Sequence, residues 1–251
     1  MDIVQSFYDN LASEYDKLFL DWDQESKEQG VILDKLFCSK GFDRSARVLD
    51  CACGIGTQSI GLAALGYDVT ASDISENELK DAKLRAESKG LSILFEKADF
   101  RNLEKTFPQQ FDIVIAMDNA LPHMLTKEDL EKALKSIFAR IRDGGILVAS
   151  IRDYDTLLES KPPYSPPYIH KTENGQRVSF QTWNWSGNNY RLVQYIIDDE
   201  SSLKVNRFEC EYRATTQNEL TDILASSGFS TVEWISPEES GFYQPIFIAK
   251  K

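Results

Sequence analysis

Hydrophobic positions along this chain change period twice. From about Val4 to Phe37, Phe7, Leu11, Tyr15, Leu18, Phe19 and Trp22 recur at three- and four-residue spacing, the pattern of helix with one buried face. A second helix is expected from about Gln24 to Phe37, with Val31, Leu33, Leu36 and Phe37 apolar. From Arg47 onward, short apolar runs alternate with helical stretches. Strands are expected at Arg47 to Cys51, Val69 to Asp73, Leu91 to Lys97, Phe111 to Ala116 and Ile146 to Ile151. Helices are expected at Thr57 to Leu65, from Ser75 toward Gly90, and from about Lys127 to Ile141, with Asp143-Gly144-Gly145 as a turn. Ser75-x-x-Glu78 has the form of a capping box. The run Phe111–Ala116 is almost wholly apolar, as a parallel strand covered on both faces should be. This alternation predicts an α/β, Rossmann-like fold: a seven-stranded, mostly parallel sheet with helices on both faces.

After Arg152 the period falls to two. A stretch rich in Pro, Ser and Tyr, Ser160 to Pro167, precedes three alternating segments at Ser179 to Trp185, Tyr190 to Ile197 and Val205 to Arg213. The intervening Trp185-Ser186-Gly187-Asn188-Asn189-Tyr190 reads as a hairpin turn. A small antiparallel lid inserted into the main fold is expected. Thr216-x-x-Glu219 then has capping-box form and opens a helix to Ser227, with Gly228 as its stop and strands near Thr231 to Ile235 and Pro245 to Lys250. The chain is read as one domain, 1–251, with a helical arm at about 1–40 and the lid at about 160–214.

Candidate chemistry starts at Val48-Leu49-Asp50-Cys51-Ala52-Cys53-Gly54-Ile55-Gly56, taken with Val69-Thr70-Ala71-Ser72-Asp73. A strand, a small-residue turn, a helix and a second strand tipped by an acid form the layout that binds an adenosine-type cofactor. Gly54 and Gly56 allow close backbone approach. Asp73 is placed to accept from both ribose hydroxyls. A dinucleotide site wants G-x-G-x-x-G, with the pyrophosphate on the helix N-terminus. Here Asp50 leads the loop and the third glycine is missing, an arrangement that repels pyrophosphate and suits a ligand carrying an ammonium group. S-adenosylmethionine has no phosphate, and has both an amine and a sulfonium. Taken alone, the loop is also compatible with a structural turn in a nicotinamide-type or ligand-free α/β domain.

Charge and composition narrow the partners. The 251 residues carry 40 acids against 28 bases, a net charge of −12, with no Lys/Arg cluster. Nucleic acid and anionic membrane surfaces are disfavoured by such a balance, and a small-molecule substrate is favoured. No apolar run approaches the length of a membrane span, and Met1-Asp2-Ile3-Val4-Gln5 lacks the basic-then-apolar start of a signal peptide. A cytoplasmic enzyme is expected; its oligomeric state is not legible. Cys38, Cys51, Cys53 and Cys210 fit no zinc spacing, and no metal is expected. Cys51 and Cys53 read as small buried side chains in a crowded turn, with a redox role as the alternative.

Further candidates sit at expected strand ends, where open α/β sheets bind ligands. Asp99-Phe100 follows the third strand: an acid for an adenine amine and a ring to cover it, or a helix N-cap beside a core aromatic. Met117-Asp118-Asn119-Ala120-Leu121-Pro122-His123 follows the fourth, with Asn119 offering a donor and an acceptor. His123 is open to two readings, a base or anchor and a structural histidine. Arg152 ends the fifth strand and is suited to gripping a carboxylate, or to a surface ion pair.

Beyond the loop, the chain resembles the glycine and sarcosine N-methyltransferases among the class I, S-adenosylmethionine-dependent methyltransferases. The resemblance runs through the N-terminal arm with Tyr8 and Asp21-Trp22, the loop Val48–Gly54 with alanine at its second position, and Asp118–His123. It continues through Arg152-Asp153-Tyr154-Asp155, Phe208-Glu209-Cys210-Glu211-Tyr212 and Tyr243-Gln244-Pro245. It implies that Tyr8, Lys27, Ala52, Asp73, Asp99, Phe100, Met117 and His123 line the S-adenosylmethionine site. Asp50, Gly54, Gly56 and Ile74 complete the cofactor set. Asn119, Arg152, Tyr212 and Tyr243 then face the acceptor. Lys27 departs from the family's arginine and offers a point charge in place of a fork. The aromatic lid around Tyr164, Tyr168, Trp183 and Trp185 has no family match and favours an acceptor larger than glycine. The expected reaction is methyl transfer to an amine of a small, carboxylate-bearing substrate, leaving S-adenosylhomocysteine. O-methylation, a peptide or natural-product acceptor, and cofactor binding without methyl transfer are the alternatives.

Overall fold

The apolar runs become strands that lie side by side, and the polar caps between them start the helices. In the computed structural model, residues 3–172, 175–199 and 202–251 are described; of the peptide Met1–Gln5, the first two residues lie outside this set. The arm is helix α1 (Ile3–Leu11), a 3-10 segment (Ala12–Leu18) and helix α2 (Trp22–Ser39), the last capped by the Asp21 carboxylate on the Gln24 N–H. Then follow β1 (Arg47–Asp50), α3 (Thr57–Ala64), β2 (Asp68–Asp73), α4 (Glu76–Ser88), β3 (Leu94–Lys97), β4 (Phe111–Ala116), α5 (Lys127–Arg140) and β5 (Ile141–Ser150).

Next come α6 (Tyr154–Ser160) and the lid strands β6 (Tyr168–Thr172), β7 (Gly175–Ser186), β8 (Asn189–Asp198) and β9 (Lys204–Arg213). Helix α7 (Gln217–Ser226), β10 (Thr231–Ile235), α8 (Pro237–Ser240) and β11 (Ile246–Lys250) complete the described chain. The main sheet has seven strands in the order β10-β11-β5-β4-β1-β2-β3. Only β11 runs antiparallel to its neighbours. Strand β1 pairs with both β2 and β4, so the strand order reverses beside it. That reversal opens a crevice at the carboxyl ends of these strands, where ligands bind in open α/β sheets.

Alternate residues of the central strands enter opposite layers. Leu49, Val114, Ala116, Leu147 and Ala149 join a core with α5 and α7, while Val48, Ile113, Ile115 and Val148 join one with α2 and α3. Each Leu, Val or Ile among them contributes roughly 1.5–3 kcal/mol by leaving water. Helices α2 and α3 touch at two glycines. A Cβ on Gly61 would meet the Ser26 carbonyl oxygen at 2.2 Å, and one on Gly30 would meet Gly61 at 2.7 Å. This approach seats the N-terminus of α3, and with it the loop after β1.

The lid is a four-stranded antiparallel sheet turned by Gly187-Asn188, with Gly187 at φ 63°. Cross-strand pairs Trp185–Tyr190 and Tyr190–Tyr212 stack their rings at centroid distances of 4.6 and 5.5 Å, the contact that stabilises such sheets. Several elements differ from expectation. Strand β6 is an additional lid strand. Helix α6, capped by Asp153, is too short to show a period. Strand β5 starts at Ile141 rather than after the turn, because Gly144, at φ 76°, is absorbed as an irregularity opposite Phe111–Ile113. Strand β3 starts at Leu94, since it is an edge strand with one neighbour. Of the two expected capping boxes, only the N-cap halves form: Glu78 turns inward, and Glu219 pairs with Arg213. The complete box is Ser236–Glu239, opening α8.

Candidate active site

The loop after β1 is held by its own acids. Asp50 is fully buried; it accepts from Ser59 Oγ at 2.6 Å and from the Ala52 N–H at 3.3 Å. Burial pushes its carboxyl up to about 7, against the pull of those two hydrogen bonds. Asp73, at the tip of β2, accepts from the Gly54 N–H and the Ser75 N–H, each at 2.9 Å. Burial raises it as well. Gly54 and Gly56 take φ 53° and 88°, and a Cβ on Gly56 would press Ile60 at 3.0 Å.

Above this loop lies a cavity of about 240 Å³. Its walls include Ala52, Gly54, Asp73 and Ile74 from the first two strand ends, Asp99 and Phe100 beyond β3, and Met117 beyond β4. Tyr8 of α1 and His123 close it from the side; Tyr8 Oη lies 2.8 Å from His123 Nε2. Asp99 fills both expected roles, since it caps the following 3-10 turn through the Arg101 N–H and also faces the cavity. It is paired with the Arg101 guanidinium at 2.6 Å.

Three expected cofactor residues stand elsewhere. Asp50 and Gly56 lie under the loop and shape it without lining the cavity. Lys27 is exposed on α2 and lines neither cavity. Ser26, Gln29 and Gly30 take the face of α2 toward α3, with Ser26 Oγ on the Thr57 carbonyl at 2.6 Å and the Gln29 amide bonded to Gln58. The helix period turns position 27 outward.

A second cavity, of about 780 Å³, lies between the sheet edge and the lid. Asn119, Arg152, Tyr212 and Tyr243 all line it. Arg152 donates from Nη1 to Tyr190 Oη at 3.0 Å and from Nη2 to Gln181 Oε1 at 2.9 Å. Its guanidinium carbon lies 5.1 Å from the Trp183 ring and 5.6 Å from the Tyr212 ring. Among the described residues it has no carboxylate within ion-pair distance. Burial works against its charge, and the nearby Tyr190, Tyr154 and Tyr212 hydroxyls hold its pKa above the ordinary value. Asn119, 2% exposed and at φ 67°, accepts from the Arg152 N–H and from Tyr154 Oη, while its Nδ2 is buried without a partner among the described residues.

Tyr8, Tyr15 and Asp118 line both cavities and form the wall between them. Tyr15 and Asp118 were not among the expected site residues. Tyr15 is masked in the sequence by its place in a helical apolar period. Asp118 is hidden inside a motif valued for Asn119 and His123, although an acid at the end of β4 was a usable signal. Glu78 was also missed. It is 1% exposed, faces the first cavity, and neither carboxyl oxygen has a partner among the described residues. Burial, aided by the Asp73 charge, pushes it well above the carboxylate range. Its Ser-x-x-Glu spacing drew it into a capping role that Asp73 fills by taking the Ser75 N–H.

Residues 48–145 match the family of methyltransferase domains. The chain is 32% identical over 155 residues to a glycine/sarcosine N-methyltransferase of Parasynechococcus marenigrum, an alignment covering 62% of this chain and 54% of that protein. The chain thus spans about half the length of that relative. Its fold matches the CcbJ methyltransferase of Streptomyces caelestis with a TM-score of 0.77 at 15% identity, over 99% of this chain and 98% of that one. It also matches the S-adenosylmethionine-bound amino pentose methyltransferase CalS10 of Micromonospora echinaspora, with a TM-score of 0.72 at 16% identity over 90% and 91%. The fold over nearly the whole chain is thus shared with solved methyltransferases, and residues 48–145 carry the methyltransferase-domain match. The sequence is also similar to the glycine/sarcosine N-methyltransferases.

Proposed function

We propose that this protein transfers a methyl group from S-adenosylmethionine to the amine nitrogen of a small, carboxylate-bearing acceptor larger than glycine. The observation that carries this reading is Arg152, a half-buried guanidinium under the lid with no carboxylate partner among the described residues. A cation partly withdrawn from water without a counter-ion bears a desolvation cost, and an anionic group on the acceptor would relieve it. The buried Nδ2 of Asn119 supplies a second donor beside it. The volume of about 780 Å³ under an aromatic lid supports an acceptor with more bulk than glycine.

The first cavity fits S-adenosylmethionine better than a dinucleotide. Asp73, Glu78, Asp99 and Asp118 face it, a set that welcomes hydroxyls and positive charge and repels pyrophosphate. Asp73 would take the ribose hydroxyls, and Asp99 the adenine amine beneath Phe100. The left-handed Gly54 leaves backbone room for the methionine end. When bound, S-adenosylmethionine supplies a methyl carbon that a nitrogen lone pair attacks as the carbon–sulfur bond breaks toward sulfur. The chain's own contribution is orientation and exclusion of water. Arg152 and Asn119 anchor the acceptor, Tyr8 and Tyr15 narrow the passage between the cavities, and the lid closes over the reacting atoms. The same reading takes the chain as one catalytic domain acting in the cytoplasm, which the four unpaired cysteines support.

The test is S-adenosylhomocysteine formation with glycine, sarcosine, dimethylglycine, larger amino acids, short peptides, amino sugars and catechols. Turnover of carboxylate-bearing amines, lost on Arg152→Gln, is the expected result. Turnover only of amino sugars or hydroxyl acceptors would overturn the acceptor class. Tight cofactor binding with no product from any compound would leave a binding protein without methyl transfer.

A further inference from the structure

Among the described residues, Asp118 is the one carboxylate on the wall shared by the two cavities. The chain holds it there by strain and by hydrogen bonds. Asp118 and Asn119 both occupy the left-handed region, at φ 55° and 67°, where non-glycine residues cost about 1–3 kcal/mol each. The end of β4 is pinned in that shape by the neighbouring strand. The Asp118 N–H donates to Ser150 Oγ at 2.8 Å, and the Asn119 N–H donates to the Ser150 carbonyl at 3.1 Å. The carboxylate is aimed by Gln58 Nε2 on Oδ2 and Tyr243 Oη on Oδ1, both at 2.7 Å. Each oxygen keeps acceptor capacity after these bonds.

An amine that arrives as an ammonium cannot attack a methyl carbon until it loses a proton. We propose that Asp118 is the group that receives that proton, resting on the reading of the second cavity as an amine site. The ammonium N–H bond breaks, the proton passes to a carboxylate oxygen of Asp118, and nitrogen keeps the electron pair. The carboxyl group formed returns the proton to water after turnover. Arg152 and Asp118, at the ends of adjacent strands, then give the acceptor's two charges opposite partners. The groups facing Asp118 agree with this role. Burial raises it above the ordinary carboxylate, opposed by its bonds to Gln58 and Tyr243, and the Glu25 charge adds to the rise. Tyr15 is its uncharged neighbour on the same wall, and the Asp118 charge in turn helps raise Asp50 beneath the loop. A carboxylate lifted in this way is a stronger base than an exposed one.

The first arm of the test needs no acceptor. Sinefungin carries an ammonium where S-adenosylmethionine carries its methylsulfonium, and S-adenosylhomocysteine carries neither. Calorimetry on the wild type should show sinefungin preferred over S-adenosylhomocysteine by about tenfold or more, with the preference shrinking as pH falls and Asp118 protonates. In Asp118→Asn, a residue that tolerates the left-handed backbone, the preference for sinefungin over S-adenosylhomocysteine should disappear. An unchanged preference would overturn the proposal, and Asp118→Gly, which also suits the left-handed backbone, serves the same comparison if the asparagine variant fails to fold. The second arm is the pH profile of kcat/KM on whichever amine is turned over. Asp118→Asn should lose on the order of a hundredfold near neutral pH and regain rate as the free amine forms at higher pH. A parallel loss at every pH would overturn the base role. Failure of all amine acceptors in the assay, with the sinefungin preference intact, would instead overturn the amine-methylating reading.

Discussion

Arg152→Met separates function from stability in a way the local geometry makes quantitative. The substitution removes the charge and keeps most of the side-chain volume. Its two hydrogen-bond partners are not orphaned by the change. Tyr190 Oη still meets Tyr154 Oη at 2.9 Å, and Gln181 Oε1 still accepts from Trp183 Nε1 at 3.0 Å. The losses are two hydrogen bonds to a charged group and cation–π contacts with Trp183 and Tyr212, a few kcal/mol together. The gain is release from holding a half-buried, unpaired cation partly out of water, an offset of similar order reduced by its exposure. The terms nearly cancel, so unfolding free energy should lie within about 1 kcal/mol of wild type, and Tm within about 4 °C for a chain of this size. Acceptor turnover should suffer far more. Losing the partner of a buried carboxylate costs about 2–5 kcal/mol, so kcat/KM should fall between roughly thirtyfold and several thousandfold. Thermal unfolding, calorimetry with S-adenosylhomocysteine and the acceptor assay together decide the matter. A drop in Tm of ten degrees with weakened cofactor binding would mean that Arg152 is a structural cation. Undiminished turnover would remove the carboxylate clamp.

Asp73→Ala should weaken S-adenosylmethionine binding by about ten- to a hundredfold by calorimetry, because the Gly54 N–H also loses the acceptor that ties the loop to β2; unchanged affinity would remove Asp73 from the site. Gly61→Ala should destabilise by about 1–3 kcal/mol or more in denaturant unfolding, since its Cβ would meet a backbone oxygen at 2.2 Å; an unaltered midpoint would show that α2 and α3 separate freely. The ligand-free protein should be more stable at pH 5 than at pH 8. Asp50 is raised to about 7, so its contribution favours the folded state at low pH and is lost as pH rises from its unfolded value through about 7, about 3 kcal/mol of it between pH 5 and pH 8. Asp50→Asn should flatten that slope, and an equal slope in the variant would place the coupling elsewhere.

The sheet and the cofactor loop were legible because their signals are local. Phe111–Ala116 is apolar on both faces, and Asp50 and Asp73 end their strands where the residue pattern says they should. Short elements with no period were not legible. Helix α6 is only about two capped turns, and β6 follows a proline-rich stretch that reads as coil. Positions that depend on which face of a helix packs were also lost. Lys27 and Ser26 are adjacent in sequence, yet the Gly30–Gly61 contact decides that Ser26 faces α3 and Lys27 faces solvent. Glu78 and Asp118 were misjudged for a related reason. Each sits in a motif with an obvious local use, and only the three-dimensional arrangement shows its carboxyl facing a cavity.

The two cavities divide the chemistry by origin. The first is built from the carboxyl ends of β1, β2 and β4 and the turn after β3, elements whose positions follow from the parallel sheet itself. The second takes its selective features from the lid, which packs on the arm through α1 and β9. Gln181 and Tyr190 orient Arg152, and both belong to lid strands. Changes in the lid sequence can therefore alter the acceptor without disturbing the loop that seats the cofactor. The family match over residues 48–145 then bears on the first cavity more than on the lid. Asp118 stands where the two parts meet, on a strand end fixed by the sheet but facing a chamber shaped by the lid. A lid transplanted from a related methyltransferase should change which acceptors bind while leaving the sinefungin preference in place. Loss of that preference in such a chimera would show that the lid also sets the position of Asp118.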